Sequence, residues 1–72
     1  MFDIMTMAEN IKTYRNKRGL NQYEFAEKLG ISPQAVSKWE CGLSCPSVEN
    51  LCVISEILDA SIDTLIGENS DS

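Results

Sequence analysis

Seventy-two residues are enough for one small domain, and a hydrophobic fraction of 43% with 24% charged residues is ordinary for a globular protein. No apolar run approaches the roughly 20 residues of a membrane-spanning helix. The start of the chain lacks the basic region and long apolar segment of a signal peptide, so we expect a cytoplasmic protein. Three cysteines without a histidine favour neither a disulfide scaffold nor a Cys/His metal site, and we expect no cofactor.

The charge of the chain is strongly segregated along the sequence. The net charge is -5, yet all six basic residues lie between Lys12 and Lys38, together with only two acids, a local balance of +4. From Glu40 onward there are seven acids and no basic residue. Because a polyanion responds to the local field, the basic half could bind one while the acidic half faces away.

Helix 1 is predicted from Met7 to Arg18. Thr6 with Glu9 three residues later has the spacing of a capping box, and Gly19 fits a helix stop. Residues 1–6 are expected to be a flexible N-terminus.

Helices 2 and 3 are predicted to follow in close succession, at 22–29 and 33–41. Asn21 and Glu24 form a second capping-box pattern before helix 2, and Gly30 permits a sharp turn after it. Ser32 caps helix 3, with Pro33 in the first position. Helix 3 then has an apolar inner side and an outer side bearing an amide, a hydroxyl and an ammonium, which suits DNA base edges and phosphates.

Helices 4 and 5 complete the predicted all-α fold. Ser47 and Ser61 are the expected caps, Gly67 ends helix 5, and residues 68–72 form a polar tail. The inner stripe of helix 4 is predicted to contain Val48, Leu51, Cys52, Ile54, Ser55 and Leu58. The predicted core consists of Ile11, Leu20, Phe25, Ala26, Leu29, Val36, Trp39, Leu51, Ile54, Leu58, Ile62 and Leu65.

The segment NQYEFAEKLGISPQAVSKWECG resembles the helix-turn-helix of the XRE-type family of phage repressors and Cro. The matching residues are Gln22, Ala26, Gly30, Val36 and the closing Trp39-Glu40-x-Gly42. The resemblance covers about residues 7–67 and implies a five-helix, lambda-repressor-like DNA-binding domain.

The resemblance also implies which residues contact DNA. These are Gln22, Pro33, Gln34, Ser37 and Lys38, with a plain exposed helix face as the alternative for the last four. Ser32, Lys17 and Arg18 are further candidates for contact with DNA, and the alternative for Lys17 and Arg18 is a stabilising role as cations at the end of helix 1. Gln34 could bond adenine, Lys38 could reach guanine or a phosphate, and Pro33 could offer an apolar face to a thymine methyl. Gln22 would bond a phosphate, with a plain helix-start role as the alternative.

Two further expectations follow from the family pattern. Arg15 and Glu40 should form a structural pair that ties helix 1 to the end of helix 3. The loop after helix 3 lacks the cations that are frequent there, which predicts weak phosphate binding. Cys41 and Cys45 in that loop are read as unreactive thiols, with a redox role as the alternative.

The expected function is that of a sequence-specific double-stranded DNA-binding transcription regulator, in the first place a repressor. It would bind a pseudo-palindromic operator as a homodimer, through helix 3 in the major groove. The predicted dimer interface is Ile62, Leu65 and Ile66 on helix 5. The alternative is an antitoxin-like or adaptor module whose DNA binding is secondary or absent. An enzyme is not expected, because no nucleophile–base set or carboxylate pair is recognisable.

Overall fold

The computed structural model describes residues 3–67, which form five α-helices and no strand. The helices are α1 (Ile4–Lys17), α2 (Gln22–Leu29), α3 (Pro33–Glu40), α4 (Val48–Leu58) and α5 (Ile62–Ile66). The all-α class and the number of helices are as predicted. No helix in this part of the chain is long and apolar enough to cross a membrane.

Helices α2 to α5 begin at the caps that the sequence predicts. The Asn21 side chain accepts the Glu24 N–H at 2.7 Å, and the Glu24 carboxylate accepts the Asn21 N–H at 2.9 Å. Ser32, Ser47 and Ser61 each accept a backbone N–H three residues on. These bonds satisfy donors that the first helical turn leaves without a partner.

The predicted start of helix 1 is wrong by three residues. Asp3, rather than Thr6, is the N-cap, and its carboxylate accepts the Met5 N–H at 3.0 Å and the Thr6 hydroxyl at 3.3 Å. The earlier start is favourable because it lets Ile4 pack against the core. Residues 3–6 therefore belong to the cap and first turn of α1, whereas residues 1–2 and 68–72 lie outside the described residues.

One hydrophobic core joins all five helices. Its buried members are Met7, Ala8, Ile11, Phe25, Ala26, Val36, Trp39, Ile54, Leu58 and Leu65. Of the predicted core residues, Leu20, Leu29 and Leu51 are half-buried and pack against this cluster, and Ile62 is half-buried.

The predicted inner stripe of α4 is wrong at two positions. Val48 is 75% exposed and Cys52 is exposed. The helix turns its Ile54 and Leu58 side inward, and Val48 and Cys52, one turn apart, lie on another side.

The turn between α2 and α3 depends on Gly30. Its φ of 74° lies in the left-handed region, which glycine enters without a steric penalty. The following Ile31 N–H donates to the Ala26 carbonyl at 3.1 Å, which closes the end of α2. Ala26 is itself buried, so a larger side chain there would separate the helices.

The first and last helices close the domain against each other. α1 packs against α3 and α5, while α4 packs against α2 and α5. The Asn10 amide donates to the Thr64 carbonyl at 3.1 Å and to the Leu65 carbonyl at 3.0 Å. The Thr64 carbonyl also accepts the Gly67 N–H at 3.2 Å, so Asn10 adds a second bond there and supplies a partner for the Leu65 carbonyl at the end of α5.

Candidate nucleic-acid interface

Helix α3 separates an inner apolar side from an outer polar side. Val36 and Trp39 are buried at i, i+3 spacing, with exposed fractions of 0% and 4%. Gln34 and Lys38, four residues apart, are exposed. This side of α3 thus carries one amide and one ammonium. Both groups can contact base edges, provided that the helix is held in a fixed orientation.

The remaining residues predicted to contact DNA at α3 differ in their exposure. Pro33 and Ser37 are half-buried, and Ser32 is exposed at the N-cap. The Ser32 oxygen accepts the Ala35 N–H at 3.3 Å. The hydroxyl hydrogen of Ser32 remains able to donate to a phosphate.

A buried ion pair holds the end of α3 against α1. Arg15 Nε donates to Glu40 Oε2 at 2.6 Å, and Arg15 Nη2 donates to Glu40 Oε1 at 3.0 Å. The two side chains are only 8% and 4% exposed. Arg15 Nη1 also donates to the Leu20 carbonyl at 2.7 Å, so the guanidinium joins three parts of the chain. This bidentate geometry restrains the orientation of α3.

Gln22 belongs to the same network. Its Nε2 donates to Glu40 Oε1 at 3.0 Å, and the residue is half-buried at the start of α2. Sequence reasoning placed Gln22 at a phosphate and did not connect it with Glu40. No sequence signal pointed to this contact, because it depends on how closely α2 and α3 approach.

The basic residues Lys17 and Arg18 have different neighbours, although they are adjacent in the chain. Lys17 lies over the Tyr14 ring, 5.0 Å from its centroid, and Arg18 lines a shallow groove with Lys28 and Ile57. Arg18 thus lies near the end of α2 and near α4. The charge of Arg15 is balanced by Glu40, so the local excess of positive charge available to DNA is smaller than the sequence count.

The loop between α3 and α4, residues 41–47, is uncharged. Cys41 is the C-cap of α3, Cys45 is also exposed, and Leu43 is 76% exposed. Within residues 3–67, no three His, Cys, Asp or Glu side chains are grouped so that they could hold a metal ion.

One residue of the predicted dimer interface is wrong. Leu65 is 0% exposed because it fills the core between α5 and α1, so it is not available to a second chain. Ile62 and Ile66 are half-buried, and Ile66 also packs against the core.

Comparison with known proteins finds a family model and solved structures that match this chain. The helix-turn-helix family model matches residues 11–65. The P22 c2 repressor protein, solved in complex with a synthetic operator, has a TM-score of 0.82 and 33% identity, covering 88% of this chain and 96% of that chain. The biofilm regulator SinR, solved in complex with DNA, has a TM-score of 0.75 and 37% identity, covering 82% of this chain and 95% of that chain.

A third relative belongs to a different functional class. The antitoxin PezA of Streptococcus pneumoniae is 35% identical over 63 residues, covering 88% of this chain and 40% of PezA. More generally, the chain spans 30% to 60% of the length of the curated relatives that it matches first.

Proposed function

Because the chain belongs to the XRE-type helix-turn-helix family of DNA-binding transcription regulators, we propose that it reads double-stranded DNA in a sequence-specific manner through α3 in the major groove. The observation that carries this proposal is the outer side of α3. Gln34 and Lys38 are exposed there, while Val36, Trp39 and the Arg15–Glu40 pair hold the helix from behind.

The residues on the outer side of α3 are each assigned a different contact with DNA. Gln34 is assigned to adenine, because its amide can donate to N7 and accept from N6–H₂. Lys38 is assigned to guanine or a nearby phosphate, Ser37 to an unspecific polar contact, and Pro33 to a thymine methyl. Ser32 and Gln22 contribute phosphate contacts. Lys17 and Arg18 are assigned to the phosphate backbone through their charge.

The protein is proposed to act as a homodimeric repressor on a pseudo-palindromic operator, in the cytoplasm, where it meets its DNA. Half-sites would lie about one helical turn apart, near 34 Å. The dimer contact is assigned to Ile62, Ile66 and the loop before α5. Leu65 is not included, because it is buried in the core. We assign the chain no enzymatic activity.

Selection from a randomised duplex library tests sequence-specific binding directly. The wild type is expected to enrich one palindromic site, and the Gln34→Ala/Lys38→Ala variant is expected to lose that enrichment. Each lost base contact should weaken binding by about 1–3 kcal/mol. Sequencing of the bound pool after each round provides the measurement.

The matched control for this selection is Glu27→Ala/Lys28→Ala, which changes exposed residues of α2 and should leave the selected site unaltered. If the wild type enriches no site at low salt and high protein concentration, this chain alone is not a sequence-specific regulator. Enrichment that survives in the Gln34→Ala/Lys38→Ala variant would show that α3 is not the reading helix.

Two variants of α5 separate the dimer contact from the core. Leu65→Ala should lower the free energy of unfolding by about 2–5 kcal/mol, because it leaves a cavity in the core. Ile62→Ala should weaken self-association with a smaller loss of stability, because Ile62 is only half-buried. Urea unfolding and sedimentation equilibrium measure the two effects. A dimer unaffected by Ile62→Ala would place the interface elsewhere.

A second candidate function is that of an antitoxin-like or adaptor module. It is favoured by the similarity to PezA, by the cation-free loop and by the exposed Leu43 and Val48. The two functions differ in their response to salt. DNA binding should weaken with a slope of about -0.9 in log K per log unit of salt for each neutralised phosphate, whereas docking through apolar side chains should respond little.

A further inference from the structure

The amide of Gln22, a half-buried residue at the start of α2, donates a hydrogen bond to the buried Glu40 carboxylate. Its Nε2 is 3.0 Å from Glu40 Oε1, the same oxygen that accepts from Arg15 Nη2. Gln22 is the first residue of α2, and Glu40 is the last residue of α3. The contact therefore links the beginning of one helix of the motif to the end of the other.

The carboxylate determines which side of the amide faces inward. A glutamine amide has two N–H donors and an acceptor oxygen, and only an N–H can face an ionised carboxylate without repulsion. Glu40 therefore holds one N–H of Gln22. The second N–H remains for an acceptor that approaches from outside, such as a phosphate oxygen.

We propose that Glu40 is a positioning residue for DNA binding that acts through Gln22, in addition to its role in holding Arg15. Anchoring the glutamine before DNA arrives reduces the side-chain ordering that binding would otherwise require. This inference rests on the proposed function, since it concerns the same DNA complex.

The hydrogen bonds among Arg15, Glu40 and Gln22 also connect the contact with the DNA backbone to the contacts with the bases. A phosphate held by Gln22 would be fixed relative to Glu40, and hence relative to Gln34 and Lys38 on the same α3. Phosphate contacts set the register of a protein on the duplex without reading sequence. A rigid link between the two kinds of contact would keep α3 in one register.

A double-mutant cycle on DNA affinity tests the link. Gln22→Ala is measured in the wild type and in Arg15→Met/Glu40→Leu, which removes the ion pair without changing the net charge. The probes are the duplex selected above and a scrambled duplex of the same length. Circular dichroism at the temperature of measurement verifies that every variant is folded.

In the wild-type background, Gln22→Ala should weaken binding to both duplexes by about tenfold, because it removes a hydrogen bond to a charged group. In the pair-replaced background, the same substitution should weaken binding by about threefold or less, because ordering a free glutamine offsets much of that bond. If Gln22→Ala weakens DNA binding by the same factor in the two backgrounds, the proposal is overturned.

Gln34→Ala is the control for displacement of α3. It should weaken binding to the selected duplex by the same factor in both backgrounds. If the effect of Gln34→Ala is also lost after pair replacement, Glu40 acts by holding α3 and not through Gln22, which overturns the inference as well.

A measurement on the wild type remains decisive if a variant fails to fold. The two Nε2 protons of Gln22 can be followed separately by ¹H–¹⁵N NMR. One should keep its resonance when the selected duplex is added, and the other should shift. A protein that binds the duplex without either proton shifting would overturn the inference and leave the proposed function intact, whereas absence of binding would count against the proposed function itself.

Discussion

Replacement of Glu40 by alanine is expected to lower the free energy of unfolding by about 3–5 kcal/mol, because it leaves a buried charge without its partner. The Arg15 side chain is 8% exposed and would retain only the Leu20 carbonyl among its present acceptors. At roughly 0.05–0.15 kcal/mol per residue, a chain of this length has about 4–11 kcal/mol of stability in total. The variant should therefore unfold at much lower urea concentration, followed by circular dichroism.

Two controls separate the buried pair from a general effect of charge. Glu27→Ala removes an exposed acid from α2 and should change stability by less than about 0.5 kcal/mol. Arg15→Met/Glu40→Leu removes both charges and should recover most of the loss, since apolar residues can replace a buried pair at little cost. A Glu40→Ala effect as small as that of Glu27→Ala would mean that the pair contributes no more than a surface contact.

Replacement of Phe25 by alanine should have an effect of similar size for a different reason. Phe25 is 0% exposed and lies in the core cluster together with Trp39 and Val36 of α3. Truncation of a buried phenylalanine costs about 3–5 kcal/mol, through lost apolar burial and the cavity left behind. Urea unfolding is measurable through Trp39, which is the single tryptophan and is 4% exposed.

Tyr23 supplies the matched control on the same helix. It is also aromatic but is 74% exposed, so Tyr23→Ala should change the free energy of unfolding by less than about 0.5 kcal/mol. Equal losses for the two variants would contradict the assignment of Phe25 to the core and Tyr23 to the surface.

Local signals in the sequence predicted the motif well because its boundaries are set by local chemistry. Asn21 and Ser32 cap helices through bonds to residues three positions on, and Gly30 supplies a backbone conformation that other residues adopt at a cost. The start of α1 was missed because two capping patterns compete there. Asp3 prevails, since the longer helix also brings Ile4 onto the core.

Long-range packing explains what the sequence could not indicate. Leu65 was predicted to lie in a dimer interface, yet it is 0% exposed and belongs to the hydrophobic core. The neighbours of the basic residues are likewise set by packing. Their order along the chain says nothing of the direction in which Arg18 or Lys17 projects once the helices have packed.

The contact between Asn10 and the end of α5 bears on how this domain forms during synthesis. The two carbonyls that Asn10 binds lie 54 and 55 residues further along the chain. A nascent chain that has released only α1, α2 and α3 lacks Leu65, which shares the core cluster with Met7 and Ile11, and lacks the two carbonyls that accept from Asn10. We therefore expect α1, against which α3 packs, to be held in place only once α5 has been synthesised. For the same reason, α2 and α3 grafted alone onto another scaffold should not retain their arrangement, whereas the whole span from Asp3 to Gly67 should be transferable as a unit.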